Sequence, residues 1–74
     1  MFEHDQNIVD SLLTADARFQ SLYRQHNELK DKVRDAESGV LPLDDIALGA
    51  MKKEKLLAKD KMAAIIEQYR REHA

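Results

Sequence analysis

The chain has 74 residues, no cysteine and a net charge of −2, which excludes a disulfide scaffold or a thiolate metal site and leaves room for one small domain over residues 1–74. Charged residues make up 35% and aromatics 5%, with two glycines and one proline, the composition of long helices or a coiled coil. The 43% apolar content and its regular spacing argue against disorder, and a chain this short without staples gains stability most readily from a second copy of itself.

The first residues carry no basic segment followed by an apolar run, and the longest apolar stretches, such as Met62 to Ile66, are far too short to span a bilayer. A cytoplasmic protein without a membrane span is therefore expected. From Ile8 to Ala36 apolar residues recur in alternating steps of four and three: Ile8, Leu12, Ala15, Phe19, Leu22, His26, Leu29, Val33, Ala36. That heptad seam predicts a helix over about 6–37, begun by Asp5 and holding one face against a partner. Thr14 or Asp16 is also a candidate cap for a second start, which would leave a short N-terminal helix, but the unbroken heptad favours one continuous helix.

Gly39 suits the left-handed position past a helix end, Val40 is placed to fold back on the last turn, and Pro42 prevents resumption. Residues 38–43 are thus a loop, and Asp44 caps a second helix over about 45–71. The main stripe of that helix is Leu48, Met51, Lys55, Ala58, Met62, Ile65 and Tyr69, with a second stripe, Ile46, Ala50, Leu57 and Ala64, beside it. Leu56 and Ile66 widen the apolar surface on the other flank, and Gly49 costs the helix about 1 kcal/mol relative to alanine.

The fold class expected is all-α: an antiparallel two-helix hairpin, coiled-coil-like, each helix about 40 Å long, associating into a helical bundle. Folding the stripes about the loop places Val33 near Met51, Leu29 near Lys55, His26 near Ala58, Leu22 near Met62, Phe19 near Ile65 and Ala15 near Tyr69. Residues 1–45 hold ten acids and five bases and residues 46–74 four acids and seven bases, so an acidic helix lies beside a basic one. Two helices cannot bury Leu56, Leu57, Ile66, Ile46, Leu13 and Tyr23 in one seam, and the surplus predicts an interface, that of a dimer or tetramer.

Few residues carry chemistry. His26 is a polar residue on the seam, able to fix register or sense pH; the plainer reading is a seam-edge histidine satisfied by water, Asn27 or Lys59. Lys55 packs its stem and wets its ammonium. Lys52, Lys53, Lys55, Lys59 and Lys61 form a basic run that suggests nucleic acid or acidic membrane, against which stand the negative net charge and the absence of interleaved aromatics. Gly49-Ala50-Met51-Lys52 lacks the remainder of a phosphate-binding loop. The histidines have no metal spacing, the serines no nearby base, and a rod of two helices no catalytic pocket. No enzyme activity, metal or cofactor is expected.

The segment from Phe19 to Leu29, Phe19-Gln20-Ser21-Leu22-Tyr23-Arg24-Gln25-His26-Asn27-Glu28-Leu29, followed by Val33 and Glu37, resembles the first half of the YdcH-like proteins, small bacterial proteins grouped as domain of unknown function family 465. Met51-Lys52-Lys53-Glu54-Lys55-Leu56 with Lys59-Asp60-Lys61-Met62 resembles the second half more sharply. Ala58 stands where the family often has leucine, and Asp16-Ala17 where many relatives have Asn-Pro. The resemblance implies a self-associating helical hairpin of the bacterial cytoplasm with no established activity. On these grounds the chain is expected to act as a structural or protein-interaction module. The surface expected to serve it comprises His26, Lys52, Lys53, Leu56, Leu57, Lys59, Asp60 and Ile66, with Lys59 close to His26 or Asn27 and Lys59 or Asp60 in a cross-helix or cross-subunit pair. Electrostatic binding through the lysines is the alternative.

Overall fold

A computed structural model describes residues 5–73, which form three helices: α1 (Gln6–Ala15), α2 (Ala17–Glu37) and α3 (Asp45–Glu72). The continuous first helix expected from the heptad is therefore corrected to two. The break is one residue wide. Asp16 is extended at φ −124° and ψ 107°, and its carboxylate accepts a hydrogen bond from the Phe19 N–H at 3.0 Å, which satisfies one of the amides a helix start leaves without a partner. Thr14, the other cap candidate, turns its hydroxyl back to the Ser11 carbonyl at 2.9 Å. The Gln20 side-chain amide donates to the Leu13 carbonyl, tying α2 to an end of α1 whose carbonyls have lost their helical donors.

The loop closes as the sequence predicts at both ends but not in between. Gly39 has φ +85°, a conformation that a side chain disfavours, and the Asp44 carboxylate accepts from the Ala47 N–H at 2.7 Å to start α3. Val40, however, does not fold back on α2: it is 74% exposed. The Leu41 N–H instead donates to the Asp35 carbonyl at 3.0 Å, and Leu41 takes the half-buried place.

α2 and α3 pack side by side with the chain direction reversed. Glu37, at the end of α2, meets Lys52 near the start of α3 at 2.8 Å, His26 shares a hollow with Lys55 and Lys59, and Ala15 shares another with Tyr69. The two hollows agree with the expected register to within one helical turn, and the Glu37–Lys52 pair is offset from it by more than a turn. Phe19, Leu22, His26, Leu29 and Val33 are buried along α2, and Ala58, Met62 and Ile66 along α3. Phe19 and Met62 are wholly enclosed, and burying a side chain of their size contributes about 1.5–3 kcal/mol each.

The core is uneven along this axis, because α1 covers only one end. Val9 and Leu12 of α1 join Phe19, Leu22, Ala58, Met62 and Ile66 in one cluster. The break at Asp16 turns α1 so that Val9 and Leu12 face inward, while Ala15 is exposed and Ile8 half-buried; of the heptad positions in α1 only Leu12 is fully buried, and Val9, outside the heptad, joins it. The third helix also corrects the assignment of Ile66 to an outer flank, since at 3% exposure it belongs to the core. Near the loop only two helices are present, and Leu48, Met51 and Lys55 are no more than half-buried. The molecule measures 45 × 21 × 17 Å.

Candidate interaction surface

The large exposed apolar residues gather toward the loop end of the molecule. The large hydrophobics exposed among the described residues are Val40 (74%), Leu43, Ile46 (86%), Leu56 (54%) and Leu57, all within residues 40–57, the two-helix end. Ile46, Ala50, Leu57 and Ala64 are exposed along α3, with spacings of 4, 7 and 7 that keep them on one stripe. Leu57 borders a shallow groove of about 260 Å³ with Leu22, Gln25, Glu54, Ala58 and Lys61. Leu56 is adjacent in sequence, so it lies about 100° around the helix, where it lines a different hollow with His26, Lys30, Lys55 and Lys59.

The charged candidates separate in the same way. Lys52 is bound to Glu37, and the ammonium it donates holds the Glu37 carboxyl below its ordinary range. Lys53 and Asp60 are exposed, and among the described residues neither makes an ion pair. Lys59 does approach His26, on one wall of the hollow of about 280 Å³. The eight expected residues are thus distributed over several places: His26 and Ile66 are buried, Lys52 is in a cross-helix pair, Leu56 and Lys59 line the hollow beside His26, Leu57 borders the separate groove, and Lys53 and Asp60 are exposed.

His26 is 7% exposed, and its Nδ1 has no hydrogen-bond partner. Burial lowers its pKa from the ordinary value; the Asn27 side chain opposes this, while Lys55, Lys30 and Lys59 add to it by repelling a second positive charge. The imidazole is therefore held neutral. Sequence reasoning missed the contact at the far end, where Arg70 of α3 pairs with Asp5 just before α1. That carboxylate raises the Arg70 pKa and makes no side-chain cap for α1. No local spacing signals this pair, because its partners are 65 residues apart.

No described helix is long and apolar enough to cross a membrane. The model of a protein family described as protein of unknown function, DUF465, matches residues 19–66. The chain belongs to this family. The match agrees with the YdcH-like resemblance and runs from Phe19 to Ile66, both core residues. In this DUF465 chain α1 lies outside the matched span although it completes the core around Ile66. No curated protein and no solved structure matches the chain.

Proposed function

We propose that this chain is a non-catalytic helical module that pairs with a second copy through the loop-proximal half of α3, building a helical bundle that displays its polar faces to other proteins. The observation that carries this reading is the confinement of the exposed large hydrophobics to residues 40–57, where α1 gives no cover. Scattered exposed leucines are ordinary; a set gathered on one end of a rod is characteristic of an interface. Magnitudes agree. The accessible surface is 5371 Å², about 700 Å² more than a compact monomer of this mass exposes. That excess is near the roughly 800 Å² that each partner contributes to a stable interface.

A second copy satisfies this surface with the packing α1 supplies at the other end, and the stripe Ile46, Ala50, Leu57, Ala64 has the small and large residues that let helices approach. The electrostatic alternative has less support, because Lys52 is engaged by Glu37 and the remaining lysines do not form one strip along α3.

Light scattering over a wide concentration range tests the reading. The wild-type chain is expected to be a dimer or tetramer. Ile46→Glu with Leu57→Glu is expected to give a monomer that keeps its helical circular dichroism, since both positions are exposed. A wild-type monomer at every concentration, or an oligomer that this double variant leaves intact, refutes pairing through this face.

A further inference from the structure

Two cations of α3 meet acids of another segment. Lys52 meets Glu37 and Arg70 meets Asp5. The hollow between α2 and α3 gathers several cations in one place. It is lined by His26 and Lys30 of α2 and by Lys55, Leu56 and Lys59 of α3, and among the described residues none of its three lysines forms an ion pair with a carboxylate. Three lysines around one concavity bring positive charge to it, and such a local potential favours an anion.

The histidine provides a separate indication. His26 is more than nine-tenths buried and lines the same hollow, yet its Nδ1 has no partner. A buried polar atom left unpaired costs stability, and such a residue at the edge of a cluster of cations is a feature of a binding site more than of a packed seam. The volume, about 280 Å³, is at the small end of ligand sites. It suits a group of a few heavy atoms bearing two or more charges, and Leu56 offers one apolar wall to whatever is attached to it.

We propose that this hollow is a binding site for the phosphoryl groups of a small phosphorylated molecule, held by Lys30, Lys55 and Lys59 beside His26. Lysines on both helices converge on the anion, so the ligand bridges α2 and α3. A single-stranded nucleic acid fits less well: it needs a basic track with aromatic platforms, and among the described residues Phe19, Tyr23 and Tyr69 lie in or against the core cluster at the other end.

The test is a titration of the full chain with pyrophosphate at constant ionic strength, followed by calorimetry and by the His26 imidazole resonances, with chloride as the control anion. Saturable one-to-one binding that moves the His26 resonances is expected. Lys30→Gln and Lys59→Gln, both at exposed positions, are each expected to weaken it about tenfold, with helix content unchanged. Lys53→Gln is the control: it is exposed on the side of α3 away from Lys55 and is expected to leave affinity intact. Vesicles of phosphatidylglycerol form a further arm. Binding to vesicles with no response to pyrophosphate assigns the lysines to a membrane surface and overturns the proposal. Equal weakening by Lys53→Gln, or saturation without movement of the His26 resonances, overturns it as well.

Discussion

Replacing His26 by leucine removes a polar ring whose Nδ1 is buried without a partner and puts an apolar side chain of similar volume between Leu22 and Leu29 on the seam of α2. An unsatisfied buried polar group costs about 1–3 kcal/mol, so His26→Leu is expected to stabilise the fold by that order. For a chain of this size each kcal/mol is about 4–8 °C in Tm. The same residue makes the wild type sensitive to acid. Burial together with Lys55, Lys30 and Lys59 keeps the folded-state pKa of His26 below the ordinary 6.5. The unfolded chain therefore takes up this proton first. Stability is fully present above about pH 6.5 and is lost as pH falls from there through the folded value, by at most about 1.4 kcal/mol per pH unit. The assay is urea unfolding followed by circular dichroism at pH 7.5 and 5.5, at one protein concentration because association also contributes to stability. Between these values the Glu37–Lys52 pair is unaffected, since the lowered Glu37 pKa confines its titration to more acid conditions. His4 and His73 are common to both proteins and cancel in the comparison. The wild type is expected to lose stability at pH 5.5, and His26→Leu to lose less. An equal loss in both proteins, or a leucine variant less stable than the wild type at pH 7.5, refutes the account of His26 as a neutral ring with an unpartnered Nδ1.

Asp16→Ala removes the cap on the Phe19 N–H and is expected to cost about 1 kcal/mol; amide exchange should rise at Phe19 and the neighbouring turn, whereas a variant of unchanged stability would mean that core packing alone holds the break. Gly49→Ala is expected to gain about 1 kcal/mol in the monomeric Ile46→Glu, Leu57→Glu background, because the added Cβ meets nothing within 4 Å. If the same change weakens association of the wild-type chain in light scattering, Gly49 lies where the second copy approaches closely.

Much of this protein is local physics and was legible in order along the chain. The seam from Phe19 to Val33 follows from steps of three and four residues that return to one side of a helix. The end of α2 follows from Gly39, whose positive φ suits a residue without a side chain, and the start of α3 from Asp44, whose carboxylate reaches an amide three residues on. The register of α2 on α3 followed from a short loop between two stripes, and it brought Lys59 to His26 as expected. Where two local signals conflicted, the sequence did not decide. Asp16 is a good cap, the heptad runs through it, and both states satisfy nearest-neighbour rules. Tertiary packing chose the break, because a bend there lets Val9 and Leu12 reach Met62 and Ile66 across the end of the pair, burial that a straight helix cannot provide. The same bend decides that Ile66 is covered. It lies in the core because α1 leaves Asp16 in the direction that brings Val9 and Leu12 into one cluster with it, whereas Leu57, about 180° around α3 from Ile66, faces away from that cover and stays exposed.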